Sequence, residues 1–325
     1  MNWSRRVATA CCGLVLAAIS AGAFAQNYPS RPLRLIVGFP PGGGADFAAR
    51  ITAQILSDGF AQQVIVDNRP GANAIIGTDL AAKATPDGYT LLLGVASSHA
   101  INPNVYAKLP YDAIRDFAPV TELGYTPLIV VVNPSLPATS IKELIALAKA
   151  KPGQLNFASA GNGNITHLAV ELFKHMTGVS MVHVPYKGSA PAITDLIAGQ
   201  ISLYFDTMPS SLPYVRSNRL RALAVTSAKR SRGAPGIPTV AEAGVPGFET
   251  TNWFGVFGPA GTPKAIANRL NTVLVNALNQ PDVQERLANQ GLEPVGDTPE
   301  HFAATLKAEI EKWKKVTTEA NIRID

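Results

Sequence analysis

Apolar residues recur along the chain in two patterns, short continuous runs and stripes of helical period. The runs predict strands at 33–38, 64–66, 89–93, 128–132, 155–158, 181–184, 201–205 and 220–225. Between them, stripes such as Phe47, Ile51 and Ile55, spaced four residues apart, predict amphipathic helices. Strands that alternate with helices favour a parallel, doubly wound α/β architecture.

Two stretches of the chain are typical of crossings between domains. One is 122–127, and the other is the Pro/Gly-rich region 233–248, which leads into the aromatic run 253–257. We therefore expect domain 2, residues 126–251, to be inserted into domain 1, residues 26–125 plus 252–325. The two connections would then form a hinge between two lobes.

The N-terminus has the features of an export signal. Residues 1–6 carry two positive charges, and 7–18 are mostly apolar but too short to span a bilayer. The sequence Ala23-Phe24-Ala25 fits the small-x-small rule for cleavage. We expect residues 1–25 to be removed after Ala25 and the mature chain to be exported.

Composition and charge exclude several classes of function. The formal charge is +5, and without Arg5 and Arg6 of the signal it is 26 − 23, or +3, with no basic stripe, so we expect no nucleic-acid partner. Cys11 and Cys12 are the only cysteines, so the mature chain has no thiol, disulfide or thiolate metal site. The five histidines show no metal spacing, and we expect neither a metal nor a cofactor.

The loops that follow the predicted strands share one kind of chemistry. Segments 38–46, 94–98, 159–166, 185–189 and 206–207 are rich in glycine and in short hydroxyl or amide side chains, and Lys187 is their one cation. Parallel sheets bind ligands beyond the carboxyl ends of their strands, where helix N-termini present free N–H groups and a partial positive charge. These loops therefore suit a small anion such as a carboxylate.

Each candidate also has an ordinary structural interpretation. The glycine run 42–44 is consistent with a tight turn, and Asp46 is consistent with a helix cap that pairs with Arg50. His167, among apolar neighbours, is typical of a structural histidine, and Lys187 of a solvated loop cation.

A secreted serine hydrolase is the main alternative from another class of function. Ser159, His167 and Asp206 offer a triad, and Ser98 stands beside His99. However, the chain has neither a GxSxG elbow nor an HExxH motif. These observations favour a binding protein over an enzyme.

Seven short motifs occur in the order of a known family. They are 39–43 (FPPGG) with Asp46 and Arg50, 68–72 (NRPGA), 86–92 (PDGYTLL), 158–161 (ASAG) with His167, 184–188 (VPYKG), 237–239 (IPT) and 253–255 (WFG). On these motifs the chain resembles the Bug-type, tripartite tricarboxylate transporter family of periplasmic solute-binding proteins. The resemblance implies a clamshell of the type II periplasmic-binding-protein kind that closes on small organic acids and delivers them to a membrane permease. Pro41 and Asn164 depart from the family, where Ala and Ser are common.

Together, the loops and the resemblance predict a periplasmic, monomeric binding protein for a small carboxylate. Loops 38–46 and 159–166 would face each other across the cleft, Ser97 and Ser98 would complete the wall of domain 1, and Tyr186 would add a wall and a hydroxyl. Asp206 would bond a ligand hydroxyl, an amine or water. A sensor component that uses the same cleft stays open as an alternative to transport. The expected ligand-binding residues are Phe39, Pro41, Gly42, Gly43, Gly44, Asp46, Ser97, Ser98, Ser159, Gly161, Asn162, Gly163, Asn164, Thr166, Tyr186, Lys187 and Asp206.

Overall fold

A computed structural model describes residues 28–319, 322 and 324, so the predicted export signal lies outside the described residues. The strands are β1 Leu33–Val37, β2 Val64–Asn68, β3 Thr90–Val95, β4 Phe117–Val132, β5 Asn156–Ser159, β6 Val182–Pro185, β7 Leu203–Thr207, β8 Arg221–Val225, β9 Thr251–Pro259 and β10 Glu293–Pro294. The helices are α1 Gly44–Phe60, α2 Ile75–Ala82, α3 Asn102–Val105, α4 Ile141–Ala150, α5 Ile165–Thr177, α6 Ser189–Ile197, α7 Met208–Arg216, α8 Lys264–Leu278, α9 Pro281–Asn289 and α10 Pro299–Glu319. A π-helical turn, Ser97–Ile101, precedes α3.

The sheet has the strand order β2-β1-β3-β9-β4-β7-β5-β6, with β8 and β10 also paired to β4. Strands β2, β1 and β3 run parallel in the first lobe, and β6, β5 and β7 run parallel in the second. Strands β9 and β4 run antiparallel to their neighbours. The prediction of a parallel sheet is therefore right for the outer strands of each lobe and wrong for the two central ones.

The long strand β4 connects the two lobes. Its residues 117–127 pair with β9 in the first lobe, and its residues 128–132 pair with β7 and β8 in the second. All five side chains of 128–132 are buried, as expected of a strand covered on both faces. The predicted crossing at 122–127 is thus a hydrogen-bonded strand rather than a loop.

A local sequence signal explains where α4 begins. The Ser140 hydroxyl accepts the Glu143 N–H at 3.2 Å and caps α4. The Glu143 carboxylate accepts the Thr139 N–H instead of the Ser140 N–H, so the capping box is displaced by one residue. None of the helices in the described residues is long and apolar enough to cross a membrane.

Candidate ligand-binding site

A small cavity of about 40 Å³ lies between the two lobes, at the carboxyl ends of their parallel strands. We call it the inner cavity. Within the described part of the chain, no charged side chain lines it. Its polar side chains are Ser97, Asn164, Thr166, Ser189, Thr207 and Asn252.

Helix α1 presents its N-terminus to the inner cavity without a side-chain cap. Gly43 is the N-cap residue, and the amides of Gly44, Ala45 and Asp46 have no hydrogen-bond partner among the described residues. Gly43, Gly44 and Ala45 line the cavity. The first turn of α1 therefore offers unpaired N–H groups to whatever the cavity contains.

The carboxylate of Asp46 turns away from the cavity. It accepts the Gly42 N–H at 3.1 Å and the Arg50 guanidinium at 2.9 Å, which confirms the predicted pairing of Asp46 with Arg50. Burial raises the pKa of Asp46, but the bonds from Arg50, Gly42 and Asn68 outweigh it and hold this pKa below its usual value. Asp46 is therefore an internal brace of the loop and does not line the cavity.

Helix α6 meets α1 from the opposite lobe. Its N-cap is Gly188, again without a side-chain cap, and the amides of Ser189 and Ala190 lack a partner within the residues described. A Cβ placed on Gly43 would lie 3.7 Å from the Ser189 hydroxyl. Two uncapped helix N-termini thus approach each other across the inner cavity.

Helix α5, in contrast, has its first amides occupied. The Asn164 side chain accepts the Thr166 N–H at 3.0 Å, and the Ser97 hydroxyl of the other lobe accepts the Ile165 N–H, also at 3.0 Å. The Thr166 hydroxyl accepts the Ala160 N–H and donates to Asn164. Ser97, Asn164 and Thr166 do line the cavity as expected, but the Ser97 and Asn164 acceptors cap α5, and the Thr166 hydroxyl bonds the loop before it.

The lobes touch directly in this structure. Besides the bond between Ser97 and Ile165, the Asn164 amide donates to Asn73 at 3.3 Å, and the Tyr106 hydroxyl contacts the Asn162 carbonyl at 3.5 Å. The clamshell is therefore closed.

Three predicted residues lie behind the cavity wall instead of lining it. The Ser98 hydroxyl is turned inward by its bonds to Val95 and His99, and Ser98 is 1% exposed. The Ser159 hydroxyl is fully buried against His183 at 2.6 Å. Asp206 accepts the hydroxyls of Ser189 and Ser211, so it reaches the cavity only through Ser189.

The proposed hydrolase triad is not formed. Ser159 contacts His183 and not His167, while the nearest carboxylate to His167 is Glu171, at 3.7 Å. Burial raises the pKa of Asp206 to about 6, and no histidine is bonded to it. These serines lack both substrate access and the acid partner that a triad requires.

A second, larger space of about 800 Å³ adjoins the inner cavity and shares Phe39 with it. We call it the outer chamber. Its lining includes the predicted residues Gly161, Asn162, Tyr186 and Lys187, and Lys187 is exposed. The Tyr186 hydroxyl donates to Asp195 at 2.7 Å, and burial, with this bond, raises the pKa of Tyr186 to about 12.

Three predicted glycine and proline positions line neither space. Pro41 and Gly42 are exposed at the edge of the cleft, and Gly163 lies beside Asn73. Pro41, which departs from the family pattern, therefore lies outside both walls.

Sequence reasoning missed Asn252, Ser189 and Thr207 as wall residues. Ser189 and Thr207 both follow predicted strands, and a polar residue in that position could have been predicted to line the cavity. Asn252 lies in β9 and is 5% exposed, and its buried side-chain oxygen has no partner among the residues that the structure describes. A polar residue at the start of an aromatic strand was the only sequence sign of it.

Comparison with known proteins places the chain in a family. Residues 48–322 match the model of the tripartite tricarboxylate transporter family receptor. The chain is 41% identical to the protein BugT of Bordetella pertussis over 325 residues, all of both chains. It therefore belongs to this family of solute receptors.

Solved structures agree with the fold. The R. palustris protein Rpa4515, solved with adipate, is 41% identical, with a TM-score of 0.89 over 91% of this chain and 99% of that one. MatC from Rhodopseudomonas palustris, solved with bound malate, is 30% identical, with a TM-score of 0.83 over 89% of this chain and 99% of its own. The expected two-lobed α/β clamshell is thus confirmed.

Proposed function

We propose that this chain is a periplasmic solute-binding protein that captures a small organic carboxylate and delivers it to a membrane permease of the tripartite tricarboxylate type. The observation that carries the proposal is the pair of uncapped N-termini, α1 and α6, that face each other across a cavity to which the described residues contribute no charged side chain. The adipate and malate bound by the two structural relatives support the ligand class.

The chemistry of the cavity accounts for useful affinity without a cation. A hydrogen bond to a charged group contributes about 1.5–3 kcal/mol, and a helix N-terminus adds about 0.3–1 kcal/mol. Three or four such bonds, less the cost of ordering the ligand, give roughly −8 kcal/mol, which is a dissociation constant of about 1 μM. A carboxylate held in this way can also be released quickly.

Binding would couple to closure of the two lobes. We propose domain 1, residues 26–125 plus 252–325, and domain 2, residues 126–251, as the moving units. The ligand would contact α1 and α6 together only when the lobes are closed, and this differential affinity shifts the population toward the closed form.

The proposal also includes the location and the assembly state of the protein. Cleavage after Ala25 would release a monomer into the periplasm, where it would act without a cofactor or metal. Binding without catalysis is supported by the burial of Ser98 and Ser159. Uptake measured with and without the gene would distinguish transport from sensing.

A thermal-shift screen of the purified mature protein against mono-, di- and tricarboxylates and amino acids tests the function. A ligand at a hundred times its dissociation constant is expected to stabilise the protein by about 2.7 kcal/mol. Mass spectrometry of the recovered ligand should show it unaltered. No shift with any carboxylate, or steady turnover of an ester or amide panel that a Ser159→Ala change abolishes, would contradict the proposal.

A further inference from the structure

The inner cavity has room for one end of an organic acid and not for the whole molecule. Its volume is about 40 Å³. A water molecule needs at least about 10–15 Å³ of such space, so the cavity holds about three groups of that size, as many as the heavy atoms of a carboxylate. The rest of a larger acid must therefore extend past Phe39 and Gly188, which line both spaces, into the outer chamber.

The lining of the outer chamber is largely apolar. Phe39 and Ile324 are joined there by prolines, alanines and glycines, and the polar side chains are those of Asn73, Tyr106, Asn162, Tyr186 and Lys187. Among the described residues of this lining, Ile324 is the only branched aliphatic side chain. It is therefore the natural contact for a hydrocarbon chain.

Ile324 follows α10 and is held in place by backbone bonds and by the core. Its N–H donates to the Val105 carbonyl, at the end of α3, at 3.2 Å. Two residues earlier, the Ile322 N–H donates to the Thr317 carbonyl at 2.8 Å, and the Ile322 side chain belongs to the buried core. The half-buried side chain of Ile324 packs against the same core. This wall of the chamber is thus anchored on both sides.

Across the cleft, Ile324 faces Gly163, in the loop between β5 and α5 of the second lobe. A Cβ placed on Gly163 would lie 3.2 Å from Cγ1 and 3.5 Å from Cδ1 of Ile324. The backbone of Gly163 has a φ of +71°, which favours glycine and keeps this close approach open. The wall formed by Ile324 is therefore complete only when the lobes are closed.

We propose that Ile324 is a specificity-determining residue that packs against the carbon chain of the bound acid, so that the site selects carboxylates with a body of several methylene groups. The inference rests on the proposed function, because it needs the carboxylate to be bound at α1 and α6. Each methylene group buried against an apolar wall improves affinity about fourfold.

The test is calorimetry on the mature protein with succinate, glutarate, adipate and pimelate. These acids carry the same two carboxylates and differ only in the number of methylene groups between them. For the wild-type protein, we expect the dissociation constant to fall about tenfold or more from succinate to adipate. In Ile324→Ala this ratio should shrink to about threefold or less, because the adipate chain loses its apolar contact.

Two matched variants serve as controls. Ile324→Leu keeps the number of carbon atoms, so the ratio between succinate and adipate should stay within about twofold of the wild-type ratio. Ile114→Ala removes an isoleucine that is 46% exposed and lines neither the inner cavity nor the outer chamber, so all four dissociation constants should stay unchanged.

Three results would overturn the proposal while leaving the proposed function intact. They are a wild-type affinity that does not rise with chain length, an unchanged ratio in Ile324→Ala, and an equal loss for all four acids in Ile324→Ala. The last would mean that Ile324 only stabilises closure through its contact with Gly163. The absence of binding by any carboxylate would instead contradict the proposed function, and this inference with it.

Discussion

Helices α1 and α5 both begin in glycine-rich loops that face the cleft, yet their first amides have different fates. The N-cap of α1 is Gly43, which has no side chain, so the first amides of α1 have no partner in the described part of the chain. The N-cap of α5 is Asn164, which bonds the Thr166 N–H, and Ser97 occupies the next amide from across the cleft. One side chain at the N-cap thus decides whether a helix end is available to an anion.

The partner of α1 is therefore α6 and not α5. Sequence reasoning paired loop 38–46 with loop 159–166 because both are rich in glycine. Residues of both loops do line the inner cavity, but it is α6 that has the same uncapped glycine start as α1, with Gly188 before Ser189. Loop 159–166 forms a side wall whose polar groups largely satisfy one another.

The largest expected effect comes from placing a charge between α1 and α6. Gly43→Asp puts a carboxylate beside the ligand, and two like charges about 4 Å apart near a protein surface repel by roughly 4 kcal/mol. We expect the dissociation constant of the best carboxylate from the screen to rise by at least about a hundredfold, measured by calorimetry.

Gly43→Asn is the matched control for this change, because it has the same shape without the charge. It should bind at least about tenfold more tightly than Gly43→Asp. Equal losses in the two variants would show that the loss comes from the volume of the new side chain or from its capping of the α1 amides, and not from charge.

Asp206, behind Ser189 at the start of α6, should make stability depend on pH. Burial raises its pKa from the usual 3.8 to about 6, so the folded state binds a proton more tightly than the unfolded state. This contribution is fully present below about pH 4 and is lost as pH rises through about 6. Relative to Asp206→Asn, the wild-type free energy of unfolding should therefore fall by about 1–3 kcal/mol between about pH 4.5 and about pH 7.5.

Urea unfolding of both proteins at the two pH values measures this difference. The altered hydrogen bonds to Ser189 and Ser211 change the free energy of unfolding of Asp206→Asn by the same amount at both pH values. They therefore do not affect the comparison, which uses only the change with pH. Parallel stability curves would mean that Asp206 titrates normally and leaves the α6 side of the cavity unaffected by pH.

Gly44→Ala should hinder closure of the lobes. A Cβ on Gly44 would lie 2.7 Å from the Thr207 hydroxyl oxygen of the opposite lobe. Overpacking of this kind costs about 1–3 kcal/mol, so we expect roughly tenfold weaker carboxylate binding by calorimetry. In Gly43→Ala the new Cβ meets Ser189 at an ordinary 3.7 Å, and this variant should bind within about threefold of wild type. Similar losses in both would remove the steric explanation.

The smallest effect is expected at α5. Asn164→Ala deletes its N-cap and should lower the free energy of unfolding by about 1 kcal/mol in urea titrations, while Asn164→Ser keeps a cap and loses less. Carboxylate affinity should change by no more than about threefold, since the amides of α5 are not the proposed anion ligands. A loss as large as that of Gly43→Asp would restore α5 as the anion site.

Apolar patterning was sufficient to locate most elements. The strand expected at 33–38 is Leu33–Val37, and the helix expected from the stripe Phe47, Ile51 and Ile55 is Gly44–Phe60. The direction of the central strands was not accessible, because a strand buried on both faces has the same run of apolar residues whether it is parallel or antiparallel. The first half of β4 was missed because it contains Pro119, Gly124 and Pro127, which normally interrupt strands.

The site was predictable at the level of loops but not of single contacts. Glycine and short polar residues after strands located the cleft. Which hydroxyl faces it depends on bonds made elsewhere. Ser97 lines the cavity, whereas its neighbour Ser98 bonds back to Val95. Asn252 reaches the cavity from β9, far along the chain, and only the folded sheet brings it there.

The free amides at the start of α1 belong to atoms that every residue except proline carries. An anchor made of such atoms survives most amino-acid replacement, because a new side chain still leaves the peptide nitrogen in place. The side chains of the outer chamber carry no such constraint. Replacement of side chains in the outer chamber can therefore change which acid the protein binds, while the amides of α1 still bind its carboxylate.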